Sequence, residues 1–479
     1  MERFKILEEI LNGSWISKAG FQRPEGGYHV SYTAVMDFVK QNQINVGMCV
    51  LFIFLAIRQV VSKNKESARK GVNRECLDAP DFPEIERLDK FDWKKEDPIK
   101  LRSFKPKYYL TMGGHQVGVK RLWWAESGSL KLLLVTSQAD TIPLLRELHT
   151  KTPDVHGPLC SLAHKSSQET LRRNFSDESA IQDLNPSELL TMDRTYADRI
   201  AYRKRIIKDS NDICVGVNND TAIGPAVREL YTFLLGTYLP KRYPTMFKLH
   251  HASFETGDQF MFENLVTKQI FPTQPSSTTS TRTLLQTLGS TVDEDFLFLL
   301  PENEGEDPKY MLEAYILIAP SGWNPRDKLG KRLAAIHGPV PGYADKLEGS
   351  MDRWFKGLEV GKYVKRSNWT ITQREDLFMP DPNSNHGREG QNEAVIEKID
   401  PEKTFLRCER QTLHRLPNSK AIVFAFKTYM DTLRDIKLEG LGDDLADAID
   451  GLKSGNAPAM NVYKRGPVWG NAVKDYLRS

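Results

Sequence analysis

The stretch LRCERQTLHRLPNSKAIVFAFKTYM, residues 406–430, decides the fold of this chain. Two runs rich in β-branched and aromatic residues, 404–416 and 421–430, flank PNSK, a tetrapeptide whose proline and asparagine favour a hairpin turn. Because side chains alternate along a strand, the first run presents polar residues on both faces. One face takes Arg407, Glu409 and Gln411, and the other takes Cys408, Arg410 and Thr412. Such rows are typical of a solvated sheet surface, an internal ion pair or a functional site.

Further strands and helices surround this hairpin. Apolar or alternating runs bounded by turn residues predict strands over 295–302, 311–320 and 363–372. Amphipathic spacing predicts helices over 183–209 and 226–244, and over 437–479 with a break at 455–458. The strands are gathered between helices instead of alternating with them. The chain is therefore predicted to have an α+β fold, not a parallel doubly wound sheet.

The amino-terminal part contains one long apolar run, INVGMCVLFIFLAIRQVV at 44–61, interrupted only by Arg58. A spanning helix needs about twenty apolar residues, a length that snorkelling of Arg58 brings within reach. Basic residues follow the run, so the larger carboxyl-terminal part is predicted to face the cytosol. The alternative is a buried core helix. The domains predicted are an extension (1–43), a single transmembrane helix (44–61), a charged linker (62–103) and a folded domain (104–479).

Composition excludes several classes of protein. The net charge is only +3 and the basic residues are spread out, so no nucleic-acid partner is predicted. The five cysteines form no C-x-x-C pair, which disfavours zinc knuckles and cysteine-bound iron–sulfur clusters and favours free thiols in a reducing compartment. The chain also lacks a dinucleotide-binding glycine motif, a P-loop, an H-E-x-x-H helix and a G-x-S-x-G elbow.

His337 is the most conspicuous histidine. It ends a small apolar run in AAIHGPVPGYADKL, residues 334–347, and precedes a stiff Gly-Pro-Val-Pro-Gly turn. Three interpretations are open: a metal or haem ligand, a catalytic base, or a structural histidine, and the last is the commonest role of an isolated histidine. His250 and His251 are adjacent, so they point apart on a helix or strand and do not predict a two-histidine metal site.

Three segments in fixed order resemble the haem-dependent oxidative N-demethylase-like family. They are SGWNPRDKLGKRLAAIHGPVPGYADKL (321–347), VKRSNWTI (364–371) and the hairpin quoted above. LGTYLPKRYPTMF (235–247), DEDFLFLLPE (293–302) and YKRGPVWGNAVKDYL (463–477) extend the similarity. The resemblance covers about 104–113 and 183–479.

This resemblance implies a PAS-like antiparallel sheet, elaborated with helices, that encloses a b-type haem. It implies O2-dependent demethylation of a small alkylamine, with release of formaldehyde and reducing equivalents from NADPH. Because no dinucleotide motif is present, the electrons would come through an unusual NADPH site or through a separate electron-donor protein. The alternatives are a haem-binding PAS-like sensor without turnover, and an interaction protein that has lost haem.

The resemblance also assigns roles to individual residues. His337 matches the axial iron ligand, with His414 as its competitor. Arg410 or Arg415 is expected to pair with a haem propionate or to polarise oxygen, and Glu409 to hold a cationic amine or to neutralise an arginine. Asn368, Trp369 and Tyr343 are expected to line the haem pocket. A thiolate ligand is disfavoured, because Cys408 lacks the glycine-rich loop that usually surrounds such a cysteine.

One segment departs from the family pattern. Residues 114–182 have an irregular texture and stand where the family runs almost directly from one motif to the next. They are interpreted as a surface insertion or as a gene-model artefact such as a retained intron. No role is assigned to the four histidines inside them, His115, His149, His156 and His164.

Overall fold

The computed structural model describes residues 75–108, 120–126, 129–135, 181–254, 257–303, 305–381 and 393–479. The chain divides into two units, 1–73 and 74–479, and the first lies outside the described residues together with the predicted transmembrane segment 44–61. Within the described ranges, no helix has both the length and the apolar character that a membrane span requires.

Antiparallel sheets form the framework of the second unit. The strands are β1 Lys120–Glu126, β2 Ser129–Val135, β3 Gln182–Asp183, β4 Val215–Val217, β5 Phe247–Phe254, β6 Gly257–Asn264, β7 Ile270–Pro272, β8 Asp295–Pro301, β9 Tyr310–Ile316, β10 Tyr363–Thr372, β11 Phe405–Arg415 and β12 Ile422–Thr432. Seven of them form the main sheet in the order β3-β10-β11-β12-β8-β9-β4, while β5-β6-β7 and β1-β2 form two smaller sheets.

The hairpin predicted from the sequence is confirmed. Thr412 of β11 pairs with Ala425 of β12, and the Leu416 N–H donates to the Ala421 carbonyl at 2.9 Å across the turn. Lys420 adopts a left-handed conformation with φ 59°, which closes the turn. The strands predicted around 295–302, 311–320 and 363–372 are β8, β9 and β10.

Helices cover both faces of the main sheet. They are α1 Tyr196–Asp209, α2 Asn211–Cys214, α3 Asp220–Phe233, α4 Leu239–Arg242, α5 Thr281–Gly289, α6 Leu333–His337, α7 Tyr343–Lys346, α8 Glu348–Gly357, α9 Leu433–Leu438, α10 Gly442–Gly451, α11 Met460–Tyr463 and α12 Gly466–Arg478. We call the side that packs with α1, α3 and α5 the inner face; Phe296, Phe298 and Val423 lie in its core. The other side, the outer face, packs Leu297, Leu299 and Leu413 against residues of α6 to α8.

Two helix boundaries differ from the sequence-based expectation. The single helix predicted over 183–209 begins only at Tyr196, because Asn185 accepts from the Ser187 N–H and caps a separate short 3-10 turn. The helix predicted over 226–244 begins earlier, at Asp220, and continues through a π-helical turn, Leu234–Tyr238, into α4. Pro240 does not end it, because this proline lies in the first turn of α4.

The carboxyl-terminal helices form a third core with the far end of the sheet. Trp369, Leu406 and Cys408 pack there with residues of α10 and α12, and the predicted break at 455–458 is confirmed between α10 and α11. Residues 75–103, predicted as part of a charged linker, lie against the domain. Ile85 is in the main core, and Arg102 pairs with Asp431 and Glu439, both at 2.8 Å. The fold is thus a mixed α+β fold built on antiparallel sheets.

Candidate functional site

His337 is the last residue of α6, and its ring is held in one tautomer. Nδ1 lies 2.9 Å from the Leu333 carbonyl oxygen, one helical turn earlier. Because a carbonyl only accepts, Nδ1 carries the proton and the lone pair is on Nε2. Burial, helped by the charges of Lys328 and Arg366, lowers the pKa of the imidazole to about 4. His337 is therefore a neutral imidazole with a free lone pair at neutral pH.

The turn that follows α6 places an aromatic ring against this imidazole. The Val340 N–H donates to the His337 carbonyl at 2.8 Å, and Gly342 adopts φ 74°, a left-handed conformation that favours glycine. The chain thus returns so that Tyr343 stacks on His337, with ring centroids 4.9 Å apart and planes 15° apart. The Tyr343 hydroxyl donates to Met351 Sδ at 3.3 Å, which fixes the phenol ring in turn.

A polar patch occupies the outer face of β10 and β11. The register places Arg366 opposite Gln411 and Asn368 opposite Glu409. Gln411 Nε2 donates to Glu409 Oε2 at 2.8 Å. The alternation predicted for β11 is confirmed, since Glu409 and Gln411 share one face and Arg410 makes its contacts on the other. Of the residues predicted to form the site, Glu409 and Asn368 are thus cross-strand neighbours, and His337 and Tyr343 stack on each other.

Several buried polar atoms of this face have no hydrogen-bond partner in the described part of the chain. They are Arg366 Nε, Thr370 Oγ1, Arg407 Nε and Thr428 Oγ1. A buried polar group without a partner costs about 1–3 kcal/mol, so a bound molecule with polar groups would stabilise the face. The positive charge of Arg366 also helps to lower the pKa of the His337 imidazole, so the two residues interact electrostatically.

Lys464 completes the patch and is a residue that the sequence reasoning missed. Its Nζ donates to Asn368 Oδ1 at 3.0 Å and to the Trp369 carbonyl, and lies 5.0 Å from the centre of the Trp369 ring. Burial lowers the pKa of Lys464 to about 8, although the Glu409 carboxylate opposes the shift. Its motif, YKRGPVWGNAVKDYL, belonged to the family resemblance but carried no assigned role.

Arg410, Trp369 and Cys408 lie on the inner face, away from His337. Arg410 donates to the Leu189 and Glu188 carbonyls at 3.2 and 2.6 Å, and Trp369 is buried in the third core. Burial raises the pKa of the Cys408 thiol far above neutral pH. Cys408 is therefore a buried thiol and not a thiolate.

Arg415 and His414 end β11 in structural surroundings. Arg415 makes four hydrogen bonds, to the Leu358, Phe355 and Lys420 carbonyls and to the Tyr310 hydroxyl, at 2.6–2.8 Å. His414 stacks on Tyr363 with centroids 4.7 Å apart, and neither ring nitrogen has a hydrogen-bond partner within the described ranges. Burial lowers the pKa of His414 to about 3, so it is a neutral core residue.

The arrangement around His337 fits an iron porphyrin. It offers a neutral axial base with a fixed tautomer, a guanidinium with an unpartnered Nε–H for a carboxylate, and a polar sheet face. No cluster of three or more His, Cys, Asp and Glu side chains that could hold a metal ion occurs in the part of the chain that the structure describes. A family model described as haem-dependent oxidative N-demethylase, alpha subunit-like, matches residues 180–474, well over half of the chain.

Proposed function

The chain belongs to the haem-dependent oxidative N-demethylase, alpha subunit-like family, and from this membership we propose that it is a haem monooxygenase that demethylates a small alkylamine with O2 and releases formaldehyde. The observation that carries the proposal is the state of His337. This imidazole is neutral, has its Nδ1–H bonded to the Leu333 carbonyl and keeps its Nε2 lone pair free. These are the properties required of an axial histidine.

We propose that the fold is PAS-like around this histidine. Two features support the idea. Five neighbouring strands, β9-β8-β12-β11-β10, form an antiparallel sheet in the order 2-1-5-4-3 of their sequence, as in PAS domains. The helices α6 to α8 are inserted between the second and third of these strands and cover the outer face. A ligand held between these helices and the sheet would lie beside both His337 and the polar patch.

The proposed cofactor is haem b, with His337 as its axial ligand. When bound, haem supplies the oxygen activation that oxidation of an N-methyl group requires. Arg366 is the better partner for a propionate, because its buried Nε has no acceptor among the described residues, whereas Arg415 already makes four hydrogen bonds. Tyr343 would hold the imidazole in place, and Asn368 would line the pocket.

Glu409 and Lys464 are proposed to handle the substrate and its protons. The Glu409 carboxylate would bind the alkylammonium ion, and Gln411, which donates to Glu409 Oε2 at 2.8 Å, would orient it. Lys464 has a pKa of about 8, so its Nζ can give up or take a proton near neutral pH at small cost. Arg410 lies on the inner face, so it would influence the substrate only indirectly, through the position of β11.

Electrons are proposed to come from NADPH, directly or through a reductase protein. The amino-terminal segment 44–61 is proposed to anchor the chain in a membrane with residues 104–479 in the cytosol, which would bring the domain close to a membrane-bound donor.

The proposal is tested by absorption spectroscopy of the full chain produced with haem supplied. We expect a Soret band in the wild type that is lost or shifted in His337→Ala and retained in the control His250→Ala, whose ring pairs with Glu263 on a separate sheet. A folded wild-type protein without a Soret band would overturn the haem assignment.

Turnover is tested next. Reduced wild-type protein should release formaldehyde from dimethylamine and O2. A haem protein that binds O2 without turnover of any small methylamine would leave only the sensor function.

A further inference from the structure

A pocket lies mostly on the inner face of the sheet, although Arg366 of the outer-face patch also borders it. Its volume is about 330 Å³, which is within the range of small-molecule sites of about 300–1,000 Å³. Strands β10 and β11 contribute Lys365 and Arg410 to its wall, and Arg242 and Tyr243 follow from the end of α4. Of the residues proposed to hold haem or the substrate, Arg366 alone also borders this cavity.

The lining of the cavity is strongly cationic. Four basic residues line it, namely Arg242, Lys365, Arg366 and Arg410, against the single carboxylate of Glu188. Glu188 lies 3.8 Å from Lys365 Nζ, but its carboxylate is half exposed. Because solvent screens such a pair, Glu188 neutralises little of this charge.

Two of the guanidinium groups, those of Arg242 and Arg410, have a donor or a charge that no described residue satisfies. Arg242 has a buried Nε without an acceptor in the described part of the chain, and its only carboxylate neighbour there, Glu86, is exposed and 3.6 Å away. Arg410 is buried and makes hydrogen bonds to two carbonyls, but no ion pair within 4.0 Å among the described residues.

The nearby buried carboxyl does not neutralise this site. The pKa of Glu294 responds to the charges of Arg410 and Lys427, but burial dominates and raises it to about 8. Glu294 is thus mostly protonated at neutral pH, and Arg410 keeps its charge uncompensated.

The rest of the wall combines apolar side chains with the polar residues Gln182, Thr191 and Ser367. Leu101 and Leu190 line it, and the Tyr243 hydroxyl donates to the Leu190 carbonyl at 2.8 Å, which ties the phenol ring to the neighbouring segment. A ligand that fits this cavity therefore has a charged end and a small hydrocarbon part.

We propose that this cavity binds a small organic phosphate, with its phosphoryl oxygens on Arg242, Lys365 and Arg410 and its carbon part against Leu101 and Leu190. A phosphate monoester is favoured over a carboxylate because it brings close to two negative charges and three acceptor oxygens to a site with several cations. The three residues proposed to bind the phosphate make no proposed contact with haem, and Arg366, which does, is not among them.

The test is calorimetric titration of the full, haem-loaded chain with phenyl phosphate, using phenol and benzoate as comparison ligands. We expect phenyl phosphate to bind and phenol not to bind, and benzoate to bind at least tenfold more weakly than phenyl phosphate. Arg242→Gln and Lys365→Gln should each weaken binding about tenfold, the loss of one charge-assisted hydrogen bond. Arg434→Gln, which removes an exposed arginine paired with Glu402, should leave binding unchanged.

Lys365→Gln is the variant less prone to misfold, because the Lys365 side chain is 37% exposed and its loss disturbs little packing. Weaker binding by this variant therefore reports on the site and not on the fold. His337→Ala should bind phenyl phosphate as the wild type does, so failure of the haem assignment would not affect this result. Absence of binding to the wild type, or equal affinity in the wild type, Arg242→Gln and Lys365→Gln, would overturn the proposal. Benzoate binding as tightly as phenyl phosphate would overturn the assignment to phosphates.

Discussion

His337 and Tyr343 form a stacked pair, with ring centroids 4.9 Å apart and planes 15° apart. Removing the stack while keeping α6 should loosen the orientation of the imidazole. We expect Tyr343→Leu to speed haem transfer to excess apomyoglobin about tenfold, the scale typical for groups that orient a metal ligand. Tyr343→Phe keeps the ring and loses only the hydroxyl contact to Met351, so it should behave as the wild type. Equal rates for the Leu and Phe variants would contradict a positioning role for the ring.

Two arginines of neighbouring strands should respond differently to the same substitution. Arg366→Gln is expected to weaken haem binding about tenfold or more, because a charge-assisted hydrogen bond is worth about 1.5–3 kcal/mol. Arg415→Gln removes four hydrogen bonds and should instead lower the free energy of unfolding by about 3 kcal/mol.

Haem titration and urea unfolding of both variants separate the two effects. If Arg415→Gln weakened haem binding while keeping its stability, the propionate role would pass from Arg366 to Arg415.

The buried imidazole of His414 should make the protein sensitive to acid. Its pKa is about 3 in the fold and about 6.5 when exposed, so the unfolded state binds the extra proton first as the pH falls. The free energy of unfolding should therefore fall by about 1.4 kcal/mol per pH unit between pH 6.5 and 3 on account of this group. His414→Phe keeps the stack on Tyr363 and should lose that slope.

Urea unfolding at pH 7 and pH 5 tests this expectation. The wild type should lose about 2 kcal/mol more than His414→Phe between these two pH values. An identical loss in both proteins would show that His414 is hydrated or protonated in the fold.

Glu294 should produce the opposite pH dependence. Burial raises its pKa to about 8 from an ordinary 4.5, so the fold holds a proton that the unfolded chain releases above pH 4.5. Stability contributed by this group is present below pH 4.5 and is lost as the pH rises towards 8, by about 1.4 kcal/mol per unit. Glu294→Gln cannot ionise, so its stability relative to the wild type should increase from pH 5 to pH 8 in urea unfolding. A constant difference between the two proteins would mean that Glu294 is ionised in the fold.

The hairpin of β11 and β12 could be predicted from the sequence because its signals are local. Alternation assigned Glu409 and Arg410 to opposite faces, and PNSK supplied the turn chemistry between β11 and β12. The position of His337 at the end of a short helix was also predictable from the apolar run and the Gly-Pro turn that follows. Each of these features depends on residues within a few positions of one another.

The composition of the patch around His337 depends on packing between distant segments. Lys464 follows α11, and it reaches Asn368 and Trp369 only because the carboxyl-terminal helices pack against β10 in the third core. The hydrogen-bond partners of Arg415 likewise come from β9, from the carboxyl-terminal end of α8 and from the hairpin turn. No periodicity or motif in the sequence indicates these contacts between distant segments. Which arginine is free to pair with a haem propionate could therefore be judged only from the structure.

Tyr108 and Gln182, far apart in the chain, both lie near neighbouring residues of β10. Burial raises the pKa of Tyr108, and the nearby charge of Arg366 opposes this shift. Gln182 pairs with Lys365, while β1 and β2, which lie between Tyr108 and Gln182 in the chain, pair only with each other among the described residues. A connection whose two ends already lie close together can change in length at little cost, about 0.6 kcal/mol for each doubling. The interval between Tyr108 and Gln182 is therefore a natural junction, at which a fluorescent reporter or a second domain could be grafted without disturbing the sheet.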